Sequence, residues 1–319
     1  MTYPLFFLGF FALVKGASLL VDGAASIARR FNVSDFAIGM TVVAFGTSTP
    51  ELFVTLIAAL GGSPDIAIGN VGGSNIANTL LIHGVTAMIR PLVVSRGTIL
   101  REMPFGLLAS CALLFVAGDA VLDEAAQGVV GRADGLLLLS FFSIFLYYSA
   151  STAQRVAGME ELAPQRGLSL ARALALVGVG LAGLALGGKW IVDGAVAIAQ
   201  TFGMSETLVG LTVVAIGTSL PELATSAVAA WKGNSDLALG NVLGSNIFNI
   251  YFVLGVTASV RPLPFHAENI VDLAAMVGAN LLLFAVVFLG RRMVLDRWEG
   301  GVLVGGYLVY LAAGIARMK

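Results

Sequence analysis

The sequence predicts an all-α polytopic membrane protein with ten transmembrane helices in two inverted five-helix repeats. Hydrophobic residues make up 58% of the 319-residue chain and charged residues 12%, and the mean hydropathy is +0.92. Apolar runs recur at the length of about 17–25 residues that crosses a bilayer as a helix. These runs are continuous and rich in Leu, Ala and Gly, which disfavours the alternating pattern of a β-barrel. A long internal repeat relates the two halves.

The apolar runs locate the ten helices. They are predicted at residues 3–28, 37–60, 66–89, 104–122, 135–151, 173–200, 207–231, 236–260, 270–290 and 301–316. The first run lacks a basic leader and a small-residue cleavage site, so it is predicted to be a retained helix rather than a signal peptide. The charged segment 152–172 contains Pro164 and Gly167 and is predicted to be a cytoplasmic linker. It separates a first repeat at 1–151 from a second repeat at 173–319.

Residues 171 positions apart are identical over long stretches. GTSTPE at 46–51 returns as GTSLPE at 217–222, and GSNI at 73–76 returns at 244–247. Composition bias does not produce a repeat whose offset never changes. Because each copy contains five helices, an odd number, the second copy enters the membrane from the opposite face. The repeats are therefore predicted to be inverted, an arrangement that transporters use to open one central site to either side.

Lys and Arg are concentrated on one side of the predicted topology. The loops after helices 1, 3, 5, 7 and 9 carry twelve of them, and the opposite side carries four. The positive-inside rule then places the loop after helix 1 in the cytoplasm and both termini outside. The predicted location is the cell (inner) membrane, with both termini extracytoplasmic.

A proline and a glutamate interrupt one apolar run in each repeat. Pro50 has no N–H to bond the carbonyl of Gly46, so the helix should break there and leave backbone oxygens available. At membrane depth such a break is tolerated only where protein or a water-filled cavity satisfies the freed groups. A carboxylate near the bilayer centre costs about 3 kcal/mol. Its recurrence as Glu51 and Glu222 predicts bound cations that offset this cost.

A second motif supplies neutral oxygen donors. In GNVGGSNIAN and GNVLGSNIFN, Ser74 and Asn78, and likewise Ser245 and Asn249, lie four residues apart on one helical face. The neutral candidate donors are Thr47, Ser48, Ser74, Asn78, Thr218, Ser219, Ser245 and Asn249. Oxygen ligands without sulfur or imidazole suit Ca²⁺ and Na⁺ and disfavour Zn²⁺ or Cu⁺.

Other functional classes find little support. Two histidines, His83 and His266, and the single Cys111 are too few for a zinc cluster, a Ser/His/Asp triad or a disulfide framework. We therefore expect no enzyme activity, no cofactor, no nucleic acid and no obligatory protein partner. The expected partners are the transported ions and the lipid bilayer. His83 is interpreted as a packing residue, and Asp65 and Asp236 are predicted to be helix N-caps.

In its paired GTSxPE and GNxxGSNI motifs, and over nearly its whole length, the chain resembles the prokaryotic type of the sodium/calcium exchanger family, within the cation/calcium antiporter superfamily. The resemblance implies an antiporter that exchanges Na⁺ for Ca²⁺ by alternating access and extrudes Ca²⁺. It implies that Glu51 and Glu222 are the central calcium ligands, beside backbone oxygens of Thr47 and Thr218. The sodium sites that it implies involve Ala44, Ser48, Ser74, Asn78, Ala215, Ser219, Ser245 and Asn249. It also implies that helices 1 and 6 slide across the other eight.

Two alternative functions share much of this pattern. A proton-coupled calcium antiporter should expose a carboxylate within the GN motif, where residues 72–74 and 243–245 read GGS and LGS. A passive cation channel would leave the inverted duplication unexplained.

The chain departs from the family that it resembles at one position: Asn249 stands where related proteins often carry an acid.

Overall fold

The computed structural model describes residues 2–118, 128–156, 168–201, 215–266, 269–291 and 293–317. Its α-helical segments are α1 Thr2–Phe31, α2 Asp35–Ile38, α3 Ala44–Thr47, α4 Thr49–Leu60, α5 Pro64–Ile76, α6 His83–Ile89, α7 Met103–Val116, α8 Arg132–Val156, α9 Leu170–Thr201, α10 Ala215–Thr218, α11 Leu220–Trp231, α12 Ser235–Ile247, α13 Gly255–Val260, α14 Asn269–Leu289 and α15 Arg297–Arg317. Wider π-helical turns continue several of them: π1 Gly39–Val43, π2 Ala77–Ile82, π3 Thr98–Glu102 and π4 Phe248–Leu254. The described part of the chain is therefore almost entirely helical.

In the described part of the chain, four short strands form two antiparallel pairs. Strand β1, Leu92–Val93, pairs with β4, Val294–Leu295. Strand β2, Gly128–Val130, pairs with β3, Leu263–Phe265. Because β1 and β3 follow equivalent helices of the sequence repeat, each copy contributes one strand in the same place.

Seven helices in the described part are long and apolar enough to cross a membrane. They are Pro4–Phe31, Thr98–Val116, Arg132–Ser151, Leu170–Ile198, Ser235–Val260, Asn269–Leu289 and Arg297–Arg317. The bent pair Asp35–Thr47 and Thr49–Leu60 makes an eighth if it forms one span. The predicted all-α polytopic membrane fold is confirmed.

The two other predicted spans account for the difference from ten. Residues 64–89 are helical throughout, but Gly72, Thr79 and His83 stand where the counted span Ser235–Val260 has Leu243, Ile250 and Leu254, so this run is less apolar. The predicted span 207–231 begins outside the described residues, and only its part from Ala215 onward is described. The count of ten stays a prediction.

One span lies at the centre of the protein. In the most apolar stretch of Ser235–Val260, 94% of the residues are buried inside the protein, whereas the share is 22–44% in the other counted spans. Protein rather than lipid therefore surrounds this helix. Its polar residues Asn241, Ser245 and Asn249 are all fully buried, which is tolerable because neighbouring helices, not hydrocarbon, face them.

Helices α1 and α9 pack against each other backbone to backbone. A Cβ atom at Gly16 would lie 2.8 Å from the carbonyl oxygen of Gly180, and one at Gly9 would lie 2.9 Å from that of Gly187. Only glycine permits so close an approach. Since the partner number falls as the number in α1 rises, the two helices run antiparallel. They correspond to predicted helices 1 and 6.

An aspartate that recurs in the internal repeat forms different ion pairs in α1 and in α9. In α1, Asp22 Oδ1 lies 2.7 Å from Nζ of Lys232, at the end of α11, and the same ammonium lies 2.8 Å from Oγ of Ser18. In α9, the repeat-equivalent Asp193 instead pairs with Lys189 of its own helix at 2.9 Å. One end of α1 is thus tied to α11, whereas α9 has no such tie through Asp193.

The N-caps of α5 and α12 lie two residues before the predicted positions Asp65 and Asp236. Asp236 is not the N-cap of α12: Asn234 is, with Oδ1 accepting a 3.0 Å hydrogen bond from the Leu237 backbone N–H. Asp65 is likewise the second residue of α5, because Pro64 occupies the first helical position that proline favours. Both carboxylates still lie in a first helical turn, where the helix dipole favours negative charge.

The structure also changes the boundaries of the predicted linker. Helix α8 continues to Val156 and α9 begins at Leu170, so both ends of the predicted linker 152–172 are helical. Residues 157–167 lie outside the described part of the chain.

Candidate ion-binding site

The helix breaks in each repeat just before the Pro-Glu pair. Ser48, between α3 and α4, has φ −84° and ψ 5°, and the two segments are bent by 42°. Ser219, between α10 and α11, has φ −86° and ψ 3°. Pro50 and Pro221 are the second residues of the helices that follow, so the predicted break is confirmed at both positions. Each glutamate therefore lies in the first turn of a helix.

The two glutamates are completely buried. Glu51 and Glu222 are 0% exposed, and Ser48, three residues before Glu51, bonds the Glu222 carboxylate, so the two glutamate turns adjoin. Among the residues that the structure describes, neither oxygen of Glu51 has a hydrogen-bond partner, nor does Oε2 of Glu222, while Oε1 of Glu222 accepts a 3.0 Å bond from Ser48 Oγ. No Lys or Arg in the described ranges forms an ion pair with either carboxylate. Two ionised carboxylates buried without countercharge are costly unless a cation or a proton neutralises them.

Asn70 forms hydrogen bonds with residues of both repeats next to the two glutamates. Its Nδ2 donates to Thr55 Oγ1 at 2.9 Å and to the backbone carbonyl of Glu51 at 3.3 Å. Its Oδ1 accepts from Thr218 Oγ1 of the other repeat at 3.3 Å. Asn70 thus holds the turn that carries Glu51 and fixes the break of the second repeat at the same time.

Asn241 makes the equivalent contacts from the second repeat. Its Nδ2 donates to Ser226 Oγ at 2.9 Å and to the backbone carbonyl of Glu222 at 3.4 Å. Its Oδ1 accepts from Thr47 Oγ1 at 3.1 Å. Our sequence interpretation missed both asparagines as functional residues. The available signal was their recurrence, each after a glycine, in the two GN motifs.

Further oxygen donors are buried without partners. Ser74 and Ser245 hydroxyls and both amide atoms of Asn78 and Asn249 are buried and make no hydrogen bond in the described structure. The asparagines lie on the π-helical turns π2 and π4. Turn π2 packs against α11, which carries Glu222, and π4 packs against α4, which carries Glu51. Each repeat therefore brings its asparagine toward the glutamate helix of the other.

The structure brings the remaining predicted residues to the same region. Ser48 contacts the Glu222 carboxylate directly. Thr47 and Thr218 bond Asn241 and Asn70, which hold the two glutamate turns, and Ser219 lies at the break before α11. The backbone of Ala44 begins α3 and that of Ala215 begins α10, one turn before each break. The Ala215 side chain lies outside what the structure describes. Carboxylate, hydroxyl, amide and backbone oxygens in one buried region form a donor set for hard cations.

The hydrogen bonds of Asn70 lead to a prediction for Asn70→Leu. The substitution leaves the Glu51 carbonyl and the Thr55 and Thr218 hydroxyls without this partner, and each such loss costs about 1–3 kcal/mol when the group is buried. We expect the calcium concentration for half-maximal transport to rise at least about tenfold, which corresponds to about 1.4 kcal/mol. Calcium-dependent flux in proteoliposomes measures it.

Asn280→Leu is the matched control. Asn280 is also buried and donates two hydrogen bonds, to Ser110 Oγ and to the Met276 carbonyl, but it lies on α14 outside the site. We expect it to lower thermal stability without changing the half-maximal calcium concentration. An unchanged calcium concentration in Asn70→Leu would contradict the role given to Asn70.

Known proteins and one protein family match this chain over nearly its full length. Residues 1–150 and 172–315 match the family described as sodium/calcium exchanger protein. The sodium/calcium exchanger MaX1 of Methanosarcina acetivorans is 32% identical over 337 residues, covering 95% of each chain. The inner membrane protein YrbG of Escherichia coli is 36% identical and covers 97% of this chain and 95% of its own.

A solved structure is similar in both sequence and shape. The structure of the sodium-calcium exchanger NCX_Mj, soaked with Na⁺ and Sr²⁺, superimposes with a TM-score of 0.81. The two sequences are 33% identical, and the match covers 98% of each chain.

Proposed function

Because this chain belongs to the sodium/calcium exchanger family, a family of transporters that carry out cation/calcium antiport, we propose that it exchanges Na⁺ for Ca²⁺ by alternating access and extrudes Ca²⁺. One observation supports the proposal above the others. Glu51 and Glu222 are fully buried on adjoining turns, and three of their four carboxylate oxygens have no hydrogen-bond partner in the described part of the chain. Together they carry the charge that neutralises one Ca²⁺.

The proposed ligands follow the donor set of the site. Ca²⁺ takes six to eight oxygen ligands in flexible geometry, and we assign the central position to Glu51 and Glu222 with the backbone oxygens of Thr47 and Thr218. We assign the sodium positions to Ala44, Ser48, Ser74 and Asn78 and to their equivalents Ala215, Ser219, Ser245 and Asn249. The reciprocal bonds of Asn70 and Asn241 support equivalent positions on the two sides.

We propose the full architecture in the same terms. The paired breaks, the reciprocal asparagine contacts and the two strand pairs support two equivalent five-helix units, proposed at 1–151 and 173–319. A cytoplasmic linker between α8 and α9, within 152–172, joins them. Ten helices in inverted orientation account for this equivalence within a bilayer. The distribution of Lys and Arg supports an inner-membrane protein with both termini outside.

The glycine-packed helices α1 and α9 are the proposed moving part. Their backbones touch at several glycines, so they should move together as one body. Sliding of this pair across the remaining helices would open the site first to one side and then to the other.

The function is tested by calcium flux into sodium-loaded proteoliposomes. We expect calcium uptake to require the outward sodium gradient, because each tenfold gradient supplies about 1.4 kcal/mol per sodium ion. Dissipating that gradient with a sodium ionophore should stop the uptake. Everted membrane vesicles test direction, since extrusion from the cell appears there as sodium-driven accumulation of calcium.

Two results would contradict the proposal in different ways. Uptake that ignores sodium but follows an imposed pH gradient would identify proton coupling. Uptake that needs no counter-ion gradient and never exceeds equilibrium would identify a passive channel.

A further inference from the structure

His83 is a buried histidine that contacts the backbone of Asn78, one of the proposed sodium ligands. It is 1% exposed and is the first residue of α6, immediately after π2. Its ring Nδ1 lies 3.0 Å from the backbone carbonyl oxygen of Asn78, and its own backbone N–H bonds to the same oxygen. Residue 83 therefore holds the Asn78 carbonyl twice, once through the backbone and once through the ring.

The contact specifies which ring nitrogen carries the proton. A carbonyl oxygen only accepts hydrogen bonds, so Nδ1 must be the donor, and in a neutral imidazole Nε2 then has no proton. Nε2 makes no hydrogen bond within the described structure. The ring borders a small cavity with a mostly apolar lining that includes Val94, Leu243 and Leu283. An unprotonated Nε2 is better suited to such a lining than an N–H donor would be.

The second repeat lacks this bond. The residue equivalent to His83 is Leu254, which ends π4 and is also buried. Both repeats therefore carry their asparagine on a π-helical turn, but within the described ranges a side chain bonds the asparagine carbonyl in the first turn alone. A general packing role would not require imidazole at one position and leucine at the other.

We propose that His83 is a positioning residue that holds π2 so that the Asn78 amide oxygen faces the sodium site. A π-helical turn has poorer hydrogen-bond geometry than an α-helix and occurs mostly as single turns at functional sites, so the additional bond from the ring stabilises it. Both amide atoms of Asn78 are buried without partners, and π2 packs against the helix of Glu222. The inference rests on the proposed sodium coupling and adds a determinant of sodium affinity.

The test compares His83→Leu with His83→Asn in sodium-driven calcium flux. Leucine copies the second repeat and removes the bond, whereas an asparagine amide can donate from nearly the position of Nδ1. We expect the sodium concentration for half-maximal exchange to rise about fivefold in His83→Leu, as for the loss of one hydrogen bond. In His83→Asn it should stay within about twofold of wild type, since a donor remains.

Leu283→Ala is the matched control for packing. Leu283 lines the same cavity, but its apolar side chain cannot hydrogen-bond the Asn78 carbonyl, so its truncation should lower thermal stability and leave the sodium concentration unchanged. Equal sodium dependence in His83→Leu and wild type overturns the inference. So does an equal shift in the leucine and asparagine variants. If His83→Leu does not fold, His83→Met replaces it as a more adaptable apolar side chain.

The imidazole signals provide an independent readout. The chain has only two histidines, so ¹⁵N-histidine labelling gives two ring systems, and His266→Gln identifies that of His83. We expect a protonated Nδ1 and an unprotonated Nε2, and the opposite tautomer overturns the inference whatever the flux. Wild-type flux that ignores sodium defeats the proposed function itself, whereas sodium-dependent flux with no effect at His83 defeats only this inference.

Discussion

Glu51→Gln and Glu222→Gln are each expected to lower calcium transport at least about a hundredfold, because losing a charged ligand from a buried site costs about 3 kcal/mol. Glutamine keeps the shape of the side chain and one of its oxygens. It removes one of the two negative charges that neutralise Ca²⁺. A dehydrated divalent ion then keeps a net positive charge within a buried site, where water cannot compensate for it.

The measurement is sodium-driven ⁴⁵Ca²⁺ uptake into proteoliposomes at matched protein content. Calcium binding to the purified protein, followed by calorimetry, separates loss of affinity from loss of movement. We expect binding and transport to fall together, since the substitutions act on the ligands themselves. Calcium flux of at least half the wild-type rate in either variant would contradict the assignment.

Glu299→Gln is the matched control for burying a glutamine in place of a glutamate. Glu299 is also 0% exposed, but its Oε2 accepts a 2.7 Å hydrogen bond from the Asp296 backbone N–H at the start of α15. This contact is one half of a capping box and has no part in the site. Because a glutamine oxygen can accept the same bond, we expect stability to change by less than about 1 kcal/mol, with calcium flux retained.

Features that depend on a few neighbouring residues could be predicted from the sequence. The break before Pro50 follows from the missing N–H of proline, which acts within one helical turn. The burial of Glu51 follows from the apolar run on both sides of it. The same local reasoning failed by two residues at Asp236, because Asn234 supplies a competing capping oxygen.

Features that depend on distant partners could not be predicted. Asn70 acquires its role through Thr218, which is 148 residues away, and Asn241 through Thr47, 194 residues away. A single sequence contains no signal for such pairs beyond the recurrence of the motif. The π-helical turns π2 and π4 were also missed, because packing against the facing helices selects an i to i+5 turn that no residue pattern specifies.

Cross-linking α1 to α11 is expected to stop exchange. The variant carries Asp22→Cys and Lys232→Cys in a Cys111→Ala background, and a short bifunctional methanethiosulfonate joins the two thiols. The natural side chains already meet at 2.7 Å across these helices. If α1 moves across α11 during transport, the covalent link should lower sodium-driven calcium flux at least about tenfold, since a carrier that cannot change its exposed side cannot release its ions. Reductant should restore the flux.

The second repeat supplies the matched control for this cross-link. Lys189 and Asp193 form the equivalent contact within α9 itself, four residues apart and well exposed. Cysteines at these two positions accept the same reagent in the same background, but the link lies within one helix and leaves the movement of α1 and α9 unrestrained. We expect exchange to continue there at nearly the uncross-linked rate. Exchange that also persists through a complete link between Asp22→Cys and Lys232→Cys would mean that α1 does not move relative to the end of α11, and the sliding pair would have to be abandoned.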